Sequence, residues 1–114
     1  MRFPDIQRGL GGELHARGGT YDSADVENVT AGDLMSEVLV FEMENLLLVT
    51  ALNSEQALRT ASMVDALGVV LVNGKAPGPK MVALADELEI ALLSTPLSMF
   101  EACAELHRLL AKGR

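Results

Sequence analysis

The sequence predicts an α/β domain with a mainly parallel sheet, built from three consecutive strand-helix units between Leu46 and Gly113. Three short runs are apolar almost throughout: Leu46–Thr50, Val69–Val72 and Ala91–Ser94. Their starts lie 69 − 46 = 23 and 91 − 69 = 22 residues apart. Each run leads into a polar or glycine-bearing turn and then into a longer amphipathic stretch. Such runs favour strands that are buried on both faces, which is typical of a parallel sheet with helices packed on it.

The region before the first unit predicts a helix and two further strands. Phe3, Ile6 and Leu10 have helical spacing, so we expect a short helix at about residues 4–10. Glu13–Ala16 and Val26–Thr30 alternate between polar and apolar residues, as half-buried strands do. We expect these two strands to form an antiparallel addition at one margin of the parallel sheet.

Helix boundaries are predicted from residues that can satisfy free backbone groups. We expect Asp33 to cap a helix that buries Leu34, Val38 and Phe41, because an aspartate oxygen accepts from free N–H groups in the first turn.

The helices of the three units have comparable signals. Asn53 or Ser54 can cap a helix that ends at Gly68, and Ser98 with Glu101 three residues later fits a capping box. The predicted apolar stripe of the last helix consists of Phe100, Cys103, Leu106 and Leu110.

Composition limits the class of protein. The 114 residues form one predicted domain, residues 1–114, with a net charge of −7. Such an acidic chain is a poor partner for nucleic acid or anionic membrane, since both attract Lys and Arg. No apolar run approaches the roughly 20 residues that span a bilayer, and we expect no signal peptide at the N-terminus. The single cysteine excludes an internal disulfide, so we expect a cytoplasmic protein.

Polar residues follow all three predicted parallel strands. Right-handed crossovers would place the three strand-to-helix turns along one edge of the sheet, where open α/β sheets bind ligands. Helix N-termini, hydroxyls, amides and one ammonium group suit a phosphate or carboxylate. The candidate ligand-binding residues are Thr50, Asn53, Ser54, Asn73, Gly74, Lys75, Ser94, Thr95 and Ser98. The alternative is that these residues only cap helices, and no dinucleotide fingerprint or P-loop is present.

Catalytic and metal chemistry have weaker support. Cys103 and His107 lie four residues apart and therefore on one helical face, but two ligands do not make a tetrahedral zinc site. Because Cys103 falls on the apolar stripe, we expect a buried thiol that reacts slowly. No catalytic residue, metal ligand or cofactor is predicted.

Several stretches resemble the DRTGG domain family. They are Ile6–Gly12, Thr30–Met35, Leu46–Thr50, Arg59–Ala61, Val69–Gly74 and Leu93–Cys103. The Asp-Arg-Thr-Gly-Gly string itself is absent, and Ala51-Leu52-Asn53-Ser54 stands where relatives often carry a Gly-Gly-Asp-Arg-like turn. A more distant similarity is to the N-terminal, non-catalytic domain of the HPr kinase/phosphorylase.

The resemblance implies an α/β domain that dimerises and regulates or senses rather than catalyses. Members of the family occur as regulatory modules in some phosphate acetyltransferases and, between CBS domains, in some inorganic pyrophosphatases. Others stand alone, as we expect for this chain. The resemblance supplies no catalytic residue.

We therefore expect a stand-alone regulatory or ligand-sensing domain without enzymatic activity, which binds a nucleotide or another small anionic metabolite. The alternative is a scaffold for protein interaction or dimerisation that binds no small molecule. A third reading is a small enzyme that uses Cys103 or the hydroxyl groups near Thr95. A homodimer is expected because 49% of the residues are hydrophobic, more than a short chain readily buries. The predicted contact lies around Met35–Met43 and the adjacent strands.

Overall fold

Five strands and five helices are present in the computed structural model, which describes residues 1–113. The strands are β1 (Glu13–Ala16), β2 (Asn28–Ala31), β3 (Leu46–Thr50), β4 (Gly68–Leu71) and β5 (Ala91–Ser94). The helices are α1 (Phe3–Leu10), α2 (Met35–Val38), α3 (Glu55–Met63), α4 (Pro79–Glu87) and α5 (Met99–Lys112).

A single sheet runs through the described residues in the order β1-β5-β4-β3-β2. Strands β2, β3, β4 and β5 are parallel, and β1 pairs with β5 in the antiparallel sense. The predicted fold class, a mainly parallel α/β sheet with an N-terminal helix and an antiparallel addition, is confirmed.

The two N-terminal strands do not lie together, as the sequence pattern had suggested. Only β1 forms the antiparallel addition, whereas β2 lies at the opposite margin and runs parallel to β3. Alternation of polar and apolar residues shows that one face of a strand is exposed, but it carries no information about strand direction.

The core has two layers, one on each face of the sheet. Alternate residues of β3 point to opposite sides, so that Leu48 packs beneath α2, α3 and α4 while Leu47 and Val49 pack beneath α1 and α5. All residues of β3 and β4 are buried. This burial explains why these strands are apolar along their whole length.

Gly68 belongs to β4 and does not end the preceding helix, so that prediction was wrong. Helix α3 ends at Met63, and Asp65 makes the following turn with a φ of 55°. A Cβ atom on Gly68 would lie 2.6 Å from Cε1 and Cζ of the buried Phe3 ring. The glycine is therefore required where α1 packs against the sheet.

Two predicted apolar stripes are only partly buried. Met35 and Val38 anchor the four-residue α2, but Leu34 is 59% exposed and Phe41 is 37% exposed. Phe100 is 82% exposed, although it was predicted to face the core.

The buried face of α5 is centred on Ala102 and Leu106, with Cys103 half-buried beside them. Hydrophobic spacing thus identified the helix, but the buried face is rotated from the predicted stripe, so that Ala102 is buried and Phe100 is not.

Candidate functional site at the carboxyl edge of the sheet

The three central parallel strands end side by side. In the sheet register, Thr50 of β3 pairs with Leu71 of β4, and Leu71 pairs with Ser94 of β5. The loops after β4 and β5 are joined by backbone hydrogen bonds from Asn73 N to Leu97 O (2.8 Å) and from Gly74 N to Thr95 O (3.0 Å). The fold therefore brings the predicted loops to one edge.

Two of the predicted residues, Thr50 and Thr95, are buried beneath the edge and hydrogen-bond to its loops. Thr50 is fully buried, and Thr95 is only 1% exposed. Each hydroxyl accepts a hydrogen bond from the amide two residues later, Leu52 N at 3.1 Å and Leu97 N at 3.2 Å. The Thr95 hydroxyl also donates to Leu10 O at 2.7 Å. These hydroxyls hold the loops in place and are already hydrogen-bonded within the chain.

Asp33 occupies the end of β3 instead of capping α2. Its Oδ1 accepts from Ala51 N at 2.7 Å and from the Thr50 hydroxyl at 3.0 Å. The residue before α2 is Leu34. The sequence could not indicate this contact, because Asp33 lies 17 residues before Thr50. A carboxylate at this strand end opposes the binding of an anion beside β3.

Of the two predicted residues before α3, Asn53 has a hydrogen-bond partner in a neighbouring loop. Asn53 Nδ2 donates to Ala76 O at 2.9 Å and so ties the loop after β3 to the loop after β4. Ser54 precedes α3, and within residues 1–113 its side chain makes no capping hydrogen bond.

Ser98 forms the predicted capping box at the start of α5. Its Oγ accepts from Glu101 N at 3.2 Å, and Ser98 N donates to Glu101 Oε1 at 3.1 Å. These hydrogen bonds stabilise the carboxylate and lower the pKa of Glu101.

Gly74, Lys75 and Ser94 line a small cleft beyond β4 and β5, whereas the predicted residue Asn73 is exposed and lies outside its lining. The volume of the cleft is about 250 Å³. We call it the edge cleft, and its lining residues are Gly11, Glu13, Gly74, Lys75, Ala76, Ser94, Thr95 and Pro96. Lys75 is exposed and supplies an ammonium group, whereas Glu13 supplies a carboxylate at the β1 side. The structure thus brings together four of the nine predicted residues in one concave surface.

His15 was missed by sequence reasoning. Its Nε2 lies 2.7 Å from Ser94 Oγ, and the two residues are 79 positions apart in the sequence. The pairing of β1 with β5 shifts register between Leu14 and Ala16, so that His15 sits in a bulge. Bulges redirect a side chain locally. No sequence signal could have revealed this pair, since it depends on strand pairing across the chain.

Several larger hollows lie away from the edge cleft, and two of them reach about 500 Å³ or more. One, of about 500 Å³, lies between α1 and α5 and is lined by Arg8, Arg108 and Lys112 among others. Arg8 is paired with Asp5, and Arg108 Nε donates to Glu105 at 3.1 Å. The other, of about 540 Å³, lies at the opposite end of β3, around Met43 and Met63.

Cys103 and His107 line a depression beside the free edge of β2. Partial burial raises the pKa of the Cys103 thiol. Among residues 1–113, no group of three or more His, Cys, Asp or Glu side chains is arranged to hold a metal ion. In the same part of the chain, none of the helices has the length and apolar character needed to cross a membrane.

The chain shares its fold with a solved structure. It is similar to the crystal structure of the CBS and DRTGG domains of the regulatory region of Clostridium perfringens pyrophosphatase, solved with its activator, diadenosine tetraphosphate. The TM-score is 0.73 at 14% sequence identity, and the match covers 92% of this chain. It spans 45% of that structure's chain. This similarity supports a DRTGG-like fold.

No protein-family model matches the sequence, and no curated protein matches it significantly.

Proposed function

We propose that this chain is a regulatory domain that senses a small phosphate-bearing ligand, such as a nucleotide, in the edge cleft. The main support is that Lys75, Ser94 and Gly74 line one concave surface beyond the carboxyl ends of β4 and β5. Ligands of open α/β sheets bind at such an edge. The similar fold of a regulatory region that was solved with a nucleotide activator supports the regulatory, ligand-sensing role. The proposed location is the cytoplasm.

The proposed ligand site is centred on β4 and β5 and does not include the end of β3. Lys75 offers a positive charge, and Ser94 with His15 offers polar contacts beside it. At the end of β3 the N–H of Ala51 already donates to Asp33 Oδ1, so it is not offered to a bound anion. Thr95 supports the site, because its hydroxyl donates to Leu10 O and accepts from Leu97 N and so fixes the loop after β5.

We further propose that the domain does not catalyse a reaction. Ser94 and His15 have the separation of a nucleophile and its base, but acyl transfer also needs donors aimed at a developing oxyanion. The nearby N–H groups of Gly74 and Lys75 donate to Thr95 O and Val72 O, and Pro96 has no N–H. These two N–H groups are therefore already hydrogen-bonded within the chain and are not aimed at a developing oxyanion.

A thermal-shift panel tests this function. The compounds are diadenosine tetraphosphate, ATP, AMP, inorganic phosphate and citrate. A ligand at 100 times its dissociation constant stabilises a protein by about 2.7 kcal/mol, so binding raises the Tm measurably.

We expect at least one nucleotide to raise the Tm of the wild type and to lose this effect in Lys75→Ala. Lys112→Ala is the matched control, since it removes the same charge from the end of α5. The proposal fails if no compound raises the Tm or if Lys75→Ala responds like the wild type.

An interaction scaffold is the second candidate function, and the distribution of exposed apolar side chains favours it. Five of the seven large hydrophobic residues that are exposed among residues 1–113 fall between positions 34 and 43. They are Leu34, Leu39, Val40, Phe41 and Met43. Such clustering marks interaction surfaces more often than scattered exposure does.

The predicted homodimer is one form of this second function. Light scattering at micromolar concentration distinguishes a monomer of 12.2 kDa from a particle of twice that mass. If a dimer forms through this segment, a charge at Val40 (75% exposed) or at Met43 should split it without unfolding the chain. A dimer that survives both changes would reject this location.

A further inference from the structure

The hollow at the amino end of β3 is lined by both apolar and acidic side chains. Its walls are formed by the segment that leads into β3 and by the end of α3. We call it the amino-end groove. Its apolar lining residues are Leu39, Phe41, Met43, Met63, Val64 and Leu67.

Several apolar side chains of the groove are exposed to solvent. Met63 is 72% exposed, Met43 is 43% exposed and Leu39 is 42% exposed. Methionine side chains are flexible and polarisable, so they adapt to the shape of a partner. The volume of about 540 Å³ gives room for several inserted side chains.

The charges around the groove have one sign. Glu42, Glu44 and Asp65 line it, and among the described residues no Lys, Arg or His does. Helix α3 ends beside it at Met63, so the negative end of the helix dipole adds to the field. The groove therefore attracts a partner that carries positive charge around an apolar face.

We propose that the amino-end groove binds a basic amphipathic helix of another protein. Amphipathic helices insert apolar anchors at positions i, i+3, i+4 and i+7 into such grooves, while their Lys and Arg residues meet acidic rims. Binding of a basic helix is a specific form of the interaction-scaffold function, and it does not depend on the edge cleft.

A second copy of the chain fits this groove poorly. A twofold contact would place Glu42, Glu44 and Asp65 against the same residues of the partner. Each chain also carries a net charge of −7, so like charges would be brought together at the contact. A basic helix removes this repulsion, whereas self-association increases it.

The probe for this proposal is a fluorescent Leu/Lys peptide of about 14 residues, roughly four helical turns. Its leucines follow the i, i+3, i+4, i+7 spacing. Two comparison peptides carry Glu in place of Lys or the same residues in scrambled order. Binding is measured by fluorescence anisotropy at low and moderate salt.

We expect saturable binding of the Leu/Lys peptide, weaker binding as salt rises, and little binding of either comparison peptide. Met63→Ser and Glu42→Lys should each weaken binding by about tenfold or more, as changes at a central anchor or a facing charge do. Far-UV circular dichroism checks that each variant is folded.

Matched controls separate the groove from general attraction to an acidic protein. Phe100→Ser removes another exposed apolar side chain, on α5, and Glu87→Lys makes the same charge change on α4. Both should bind the peptide like the wild type.

The proposal would be overturned if the scrambled peptide bound as tightly as the Leu/Lys peptide. It would also be overturned if the control variants lost as much peptide binding as the groove variants. A dimer of the free protein that Met63→Ser converts to a monomer would overturn it as well, because the groove would then be covered by a second copy. None of these outcomes affects the thermal-shift test of the edge cleft.

Discussion

Phe3 and Gly68 show how one close contact can position a helix on the sheet. The Phe3 ring is fully buried against the strand at the point where Gly68 has no side chain. We predict that Gly68→Ala lowers the free energy of unfolding by about 1–3 kcal/mol, the usual cost of overpacking a core. Urea denaturation measures this change.

Gly32→Ala is the matched control for this substitution. A Cβ atom on Gly32 would meet nothing within 4 Å. We expect a change of less than about 0.5 kcal/mol there, as for ordinary surface substitutions. Equal stability of the two variants would show that the contact between Phe3 and Gly68 does not limit packing.

Cys103 tests how burial controls reactivity at a single residue. The thiol is half-buried, not fully buried as its place in the apolar pattern suggested, because it lies at the side of α5 next to β2. Burial raises the pKa of the thiol, so that less thiolate is present at neutral pH.

We predict that a thiol reagent labels native Cys103 at least about tenfold more slowly than the urea-unfolded chain at pH 7, since the thiolate is the reacting species. Native labelling as fast as that of the unfolded chain would contradict this prediction.

At the level of elements, the start of α5 depends on its capping box. Ser98→Ala removes the hydroxyl that accepts from Glu101 N. We predict a loss of about 1 kcal/mol in the free energy of unfolding, the typical value for an N-cap serine. A variant as stable as the wild type in urea would show that this cap does not contribute.

The capping box also predicts how stability depends on pH. Because the folded pKa of Glu101 lies below its ordinary value of 4.5, the favourable contribution of the carboxylate is fully present above that value. It is lost as the pH falls through the lower folded pKa. The gap in stability between the wild type and Glu101→Gln should therefore narrow below pH 4.5.

Urea denaturation from pH 7 to pH 3 measures this gap. A gap that stays constant over the range would contradict the role of the ionised Glu101.

Elements with strong local signals could be predicted from the sequence. The bounds of β1, β3 and β5 and the capping box at Ser98 agree with the expected positions. Apolar runs, alternation and capping residues are local properties of the chain, and they act in the same way wherever the element is placed.

Contacts between distant residues could not be predicted. The carboxylate of Asp33 accepts a hydrogen bond from Ala51 N, and His15 contacts Ser94, only because the sheet brings these segments together. The direction of β2 had no local signal either. The candidate site was therefore predicted as a set of loops, whereas the lining of the edge cleft and the position of Asp33 at the end of β3 required the structure.

At the scale of the whole molecule, the sheet has two ends with different properties. The carboxyl end holds the edge cleft with Lys75 and Ser94, and the amino end holds the acidic, apolar groove around Met63. Helix α3 runs from the first end to the second, between Glu55 and Met63. A regulatory domain of this form would bind its ligand and its protein partner at opposite ends of the same sheet.

A nuclear magnetic resonance titration with diadenosine tetraphosphate tests most directly whether a ligand binds in the edge cleft. The backbone amide signals of residues 1–113 report the binding surface in one experiment. We predict that the largest shifts fall at Gly74, Lys75, Ser94 and Thr95, which line the edge cleft. Shifts concentrated at the amino-end groove or between α1 and α5, or no shifts at millimolar ligand, would contradict it.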